Sequence, residues 1–138
     1  MSGAVLCAAV LGVPAAVATA PRSTWDRVFT REQALAGEAT YDEYCSACHM
    51  PNLEGGEDAP SLVGAPFSAV WEGRSLGDLV ARMQARMPQD APGSLSRDAY
   101  VEIAAFLLQK NGFPDGIAPL PNRPDALAEI RYFSHARP

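Results

Sequence analysis

Two thiols and an imidazole stand within five residues: Cys45, Cys48 and His49, in the stretch "CSACH". Three chemistries use Cys-x-x-Cys followed by His. Thiolates and imidazole are zinc ligands. A dithiol three residues apart can act as a redox couple. The two sulfurs can also form thioethers with the two vinyl groups of a haem, which sets the adjacent imidazole beneath the iron.

The surrounding sequence separates these readings. A structural zinc site takes four protein ligands, often with a second Cys or His pair. The other histidine, His135, lies far along the chain in a Pro-rich tail. A thioredoxin-like dithiol sits between a strand and a helix. Here a helical pattern leads into the motif and a Pro/Gly-rich loop follows it. The haem reading uses all three residues. It also explains how a small chain with many loops is held together, because a large apolar group inside it would supply burial that the chain lacks.

The elements that must position these residues read as helices. "TREQALAGEATYDEYC" opens with Thr30 as N-cap and Gln33 as the N3 partner of a capping box. Ala34, Gly37, Tyr41 and Cys45 fall on one face at helical spacing. Gly37 in mid-helix costs about 1 kcal/mol relative to Ala, which suggests close approach by another helix. "MPNLEGGEDAPSLVGAPFSAV" carries prolines and glycines throughout and is expected to be a loop. "SLGDLVARMQARM" is a helix capped by Ser75, with Asp78 at N3, and Pro88 ends it after Met87. "SRDAYVEIAAFLLQKNG" is the clearest helix, with Ser96 as N-cap and Gly112 as terminator. The tail is Pro-rich, with one helical turn expected around residues 125–130. No run has strand period and no internal repeat is present, so the predicted fold class is all-α.

The chain of 138 residues divides into a leader over 1–20, a lead-in over 21–30, a haem domain over 31–112 and a Pro-rich tail over 113–138. Trp25 and Phe29 are expected to anchor the lead-in. Residues 1–20 carry no charged side chain, and Ala18-Thr19-Ala20 precedes Pro21 as an A-x-A cleavage site. This reads as a secretory signal peptide, although its start lacks Lys and Arg. The apolar run over residues 5–13 is too short to span a bilayer, so no stable membrane anchor is expected. Cys7 falls inside the leader. After cleavage the mature chain keeps Cys45 and Cys48 alone, which is poor material for a disulfide scaffold. With 11 Lys and Arg against 16 Asp and Glu, the net charge of −5 excludes a basic nucleic-acid surface.

Gly37, Tyr41 and Cys45 stand at G-x-x-x-Y-x-x-x-C, and the last core helix carries Ala104, Ala105, Phe106 and Leu107. This pattern resembles the class I cytochrome c family, in which the first and last helices cross at a glycine and two aromatics. Gly37, Tyr41 and Phe106, with Ile103 beside them, match that crossing. More narrowly, "YDEYCSACH", "APSLVG", "MPQDAPGSLS" and "NGFP" are similar to the small periplasmic cytochromes c associated with quinoprotein (PQQ) dehydrogenases. The resemblance spans about residues 29–130. It implies a small all-α class I cytochrome c fold around one covalently attached haem c.

An electron carrier of this kind has both axial positions of its iron filled, and sulfur opposite His raises the potential. Met50 directly follows His49 and belongs to the same side. Met83 and Met87 stand at i, i+4 on one helix, where a pair of methionines is ordinarily core packing. Met87 is the expected ligand because Pro88 breaks the helix there, and the family's ligand stands in an M-P context. The resemblance also assigns to Pro60 the carbonyl that orients His49. Trp71 and Arg74 are candidates for holding haem propionates, and His135 is expected at the surface.

These readings imply a periplasmic one-electron carrier with redox protein partners: a dehydrogenase donor and a cytochrome or oxidase acceptor. No catalytic constellation is present in the sequence, so no enzyme activity of its own is expected. Two alternatives differ in class. One is a haem enzyme or gas sensor with an open iron position. The other is a tightly held cytochrome subunit of a dehydrogenase, for which Leu120, Leu127, Ile130, Tyr132 and Phe133 in the tail would form the docking surface. Otherwise the tail wraps the haem domain.

Overall fold

A computed structural model describes residues 21–136. The expected signal peptide and Cys7 lie outside the described residues. In chain order the elements are β1 (Arg22–Ser23), α1 (Arg31–Tyr44), α2 (Ser46–His49), α3 (Gly64–Trp71), α4 (Leu76–Arg86), α5 (Arg97–Lys110), α6 (Pro124–Ala128) and β2 (Ile130–Arg131). The architecture is mainly helical, with two short strands near the ends of the described residues.

Each long helix starts on a side-chain cap. The Thr30 hydroxyl accepts the Gln33 N–H at 3.2 Å. Gln33 does not complete the capping box. Its amide instead pairs with the backbone of Leu120, donating to the carbonyl at 3.2 Å and accepting the N–H at 2.8 Å. The full capping box is at α4: the Ser75 hydroxyl accepts the Asp78 N–H, and the Asp78 carboxylate accepts the Ser75 N–H. The Ser75 hydroxyl also donates to the Asp78 carboxylate at 2.8 Å, and this bond, with that from the Ser75 N–H, holds the Asp78 carboxyl below the usual carboxylate range. Ser96 caps α5 through the Ala99 N–H. α5 ends at Asn111, and Gly112 follows in the left-handed region at φ 84°.

α1 and α5 form the most extensive helix pair. Gly37 makes their crossing possible. A Cβ at this position would lie 1.9 Å from the Glu102 carbonyl oxygen, so only glycine admits the backbone of α5. One turn on, the rings of Tyr41 and Phe106 meet at 5.2 Å between centroids. Tyr41, Ile103, Ala104 and Phe106 are buried in this seam. At its outer edge Lys110 pairs with Glu38 at 3.0 Å, a surface contact of small energetic weight.

Three more sequence expectations need correction. The stretch after His49 is not all loop, because "GAPFSAVW" forms α3 and buries Phe67 and Trp71. Pro66 lies in the first turn of α3, where no intrahelical N–H bond is lost, so the proline that suggests a loop is compatible with a helix start. The helical turn in the tail ends at Ala128 rather than at residue 130. Ile130 and Arg131 then run parallel to Arg22 and Ser23 as a two-stranded clasp. Two-residue strands carry no readable period.

The clasp closes the lead-in onto the tail. Val28 and Phe29 are buried, and the Trp25 indole donates to the Phe133 carbonyl at 2.9 Å. Leu120, Leu127, Ile130 and Tyr132 are all buried, so the tail wraps the domain. Tyr132 stacks edge-on against Phe67 and Phe113, and its hydroxyl meets the Ser68 hydroxyl at 2.8 Å.

Candidate functional site

α1 delivers the motif. The Cys45 N–H still reaches the Tyr41 carbonyl at 2.8 Å, but the Cys45 backbone has left the helical region. The Cys48 and His49 N–H groups both return to the Cys45 carbonyl, at 3.2 and 3.0 Å, and wind "SACH" into the single turn α2. Cys45 and Cys48 are unpaired with each other. As a free thiol, Cys45 is pushed up to about 11 by burial and, less, by the neighbouring Cys48. Among the described residues no cluster of His, Cys, Asp and Glu assembles a metal-binding group, so the motif gains no partner set for zinc.

His49 is 7% exposed, and its Nδ1 lies 3.0 Å from the Pro60 carbonyl oxygen. A carbonyl can only accept, so Nδ1 carries the proton and Nε2 keeps its lone pair for another partner. The loop between them is rigidly tied. The Tyr41 hydroxyl donates to the Met50 carbonyl at 2.7 Å, and burial raises that phenol to about 12, so it stays a donor. The Gly55 N–H returns to the His49 carbonyl at 3.0 Å, and the Leu62 N–H to the Leu53 carbonyl at 2.8 Å. Gly55, at φ 71°, lies so close to the Pro60 carbonyl that a Cβ would stand 2.7 Å from its oxygen. The absence of a side chain at Gly55 therefore leaves the Pro60 carbonyl room to meet His49.

These residues face a cavity of about 830 Å³. Cys45, Cys48, His49 and Pro60 line it, as do Phe67 and Trp71 from α3, Leu79, Met83 and Met87 from α4 and its end, and Ile103 and Leu107 from α5. The walls are mainly apolar, and the volume suits a large planar cofactor rather than a single ion. The donor set fits haem c: two thiols for thioethers, and one imidazole on the same wall whose Nδ1 is already committed to Pro60.

The remaining candidates are placed as follows. Met83 and Met87 both line the cavity and are half-buried, whereas Met50 is 41% exposed and lies off the wall. Met87 is the C-cap of α4 in an extended conformation, joined to Pro88 by a cis peptide bond. Trp71 is buried on the cavity wall. Arg74 is not on that wall. Its guanidinium sits 4.9 Å above the Trp71 ring, because the turn after α3 pairs the Arg74 carbonyl with the tail at Tyr132. The guanidinium groups on the wall are those of Arg82 and Arg86. Sequence reasoning passed over both, though each directly precedes a candidate methionine and the two stand at i, i+4. His135 lies apart, beside Glu72 and Ser134.

A mainly helical chain whose helices α1 and α5 cross at a glycine, with C-x-x-C-H on the wall of a large apolar cavity, is a class I c-type cytochrome. The sequence model of the family described as cytochrome c oxidase, cbb3-type, subunit III matches residues 32–107, from α1 into the last turns of α5, and the chain belongs to that family. No curated protein and no solved structure matches the chain. Family membership makes it a haem-c electron-transfer protein with redox protein partners. No helix among the described residues is long and apolar enough to cross a membrane.

Proposed function

We propose that this chain is a periplasmic monohaem one-electron carrier with His49 and Met87 as axial ligands. In this reading it takes electrons from a quinoprotein dehydrogenase and passes them to another cytochrome or an oxidase. The observation that carries the ligation is that His49, with Nδ1 committed to Pro60, borders the same cavity as Met87 at the broken end of α4. Bound haem c supplies a single iron that changes charge by one electron. The protein's part is to hold the imidazole in one tautomer, to present a thioether and to exclude water with Phe67, Leu79 and Ile103. Cys45 and Cys48 hold the cofactor covalently. Trp71, Arg82 and Arg86 line the same cavity, which supports a role for them in holding the polar edge of the haem.

Export is supported by the A-x-A site before Pro21 and by a mature chain whose cysteines are those of the motif alone. The dehydrogenase link rests on the sequence resemblance. The burial of the tail removes Leu120, Leu127, Ile130 and Tyr132 from any docking surface, which favours a freely diffusing carrier over a tightly held subunit.

Potentiometric titration is expected to give a single one-electron wave, and the reduced protein is expected to exclude CO at neutral pH. Ready CO binding by wild type would replace the carrier with the open-site haem enzyme or sensor. Stable co-purification with a dehydrogenase would favour the subunit reading.

A further inference from the structure

Tyr100 lies in the first turn of α5, is 1% exposed and lines the cavity. Its hydroxyl donates to the Met87 carbonyl at 2.6 Å. The same carbonyl accepts the Gly93 N–H at 3.3 Å, and the Met87 N–H donates to the Met83 carbonyl at 2.7 Å. Met87 is thus held through its backbone from three directions: by α4 behind it, by the loop ahead of it and by α5 across from it. Of these three, Tyr100 alone is a side-chain contact, and it alone links the end of α4 to the helix that Gly37 locks against α1.

We propose that Tyr100 is a positioning residue that keeps the Met87 thioether aimed into the cavity. The inference rests on Met87 being an axial ligand. A thioether on a chain terminus of a helix has two states, one directed into the cavity and one turned away. A restraint on its carbonyl narrows the backbone angles available at Met87 and favours the first. Loss of the phenolic O–H leaves the Met87 carbonyl with the long Gly93 contact alone, so the turned-away state gains population. An added ligand that competes for the vacated position binds in proportion to that population.

The test is imidazole binding to the oxidised holoprotein. Tyr100→Phe keeps the ring and removes the donor. It is expected to raise apparent imidazole affinity about two- to tenfold, the range that one hydrogen bond supports. Tyr132→Phe removes an equally buried hydroxyl, the partner of Ser68, away from the cavity. It is expected to lower the denaturation midpoint comparably and to leave imidazole affinity unchanged. Equal affinities in wild type and both variants would overturn the proposal. If Tyr100→Phe does not load haem, Tyr100→Leu removes the same donor and is read in the same way. The ligation reading has its own readout. If wild type lacks the far-red sulfur-to-iron band, Met87 is not a ligand and the proposal falls with it. If wild type shows the band and Tyr100→Phe behaves as Tyr132→Phe, only the role of Tyr100 is lost.

Discussion

Met87→Ala is expected to abolish the far-red sulfur-to-iron band, to admit CO to the reduced protein and to lower the midpoint potential. The three effects share one cause. A thioether favours reduced iron and occupies the position that CO or water would take. The shift in potential should be a sizeable part of the roughly 0.8 V over which axial ligands set haem potentials. Met83→Ala is the matched comparison, because Met83 borders the same cavity one turn earlier on α4. Being half-buried, it should lose stability at the lower end of the about 2–5 kcal/mol typical of Met→Ala, with the band intact. Optical spectra and a redox titration of the two variants decide the matter. An exchange of behaviours between them would make Met83 the ligand.

Gly37→Val has the largest expected effect on the fold. The atom that a new Cβ would strike is the Glu102 carbonyl oxygen, 1.9 Å away, and it belongs to the backbone of α5. A side chain could rotate aside, but α5 has to move as a unit. The expected loss is at least the about 1–3 kcal/mol of ordinary overpacking, with reduced haem loading. Gly37→Ala isolates the cause. In an exposed helix that change would gain about 1 kcal/mol from propensity, so a net loss here measures the collision. Denaturant midpoints at equal haem content provide the reading. An unchanged midpoint in both variants would contradict the crossing.

How much of this was legible depended on whether a feature is local. Thr30, Ser75 and Ser96 cap the three long helices within their own first turns, and Pro88 ends α4 for reasons contained in two residues. The C-x-x-C-H motif is local in the same sense. Gly37 was readable as an anomaly, and the structure supplies the Glu102 carbonyl that explains it. Features made by distant pairs were not legible. Gln33 has the spacing of a capping-box partner, yet the backbone of Leu120 competes for its amide and wins both hydrogen bonds. The strand clasp joins Arg22 and Ser23 to Ile130 and Arg131 across nearly the whole chain. Tyr100 carried no sequence signal, since nothing in its neighbourhood announces the Met87 carbonyl. Arg74 stands three residues after Trp71 and stacks on its ring, but the arginines that line the cavity, Arg82 and Arg86, come from α4, a placement that no local pattern announces. α3 was hidden by Gly64 and Pro66, residues that read as loop in a window and as a helix start in three dimensions.

The account stands on haem held covalently by Cys45 and Cys48, and intact mass after acidic acetone treatment tests this most directly. Protein produced with the cytochrome c maturation machinery should retain its colour in the precipitate. Its mass should be that of the processed chain plus one haem, and replacement of both cysteines by alanine should abolish the adduct. Free haem in the acetone phase, with a polypeptide at the mass of the bare chain, would contradict it.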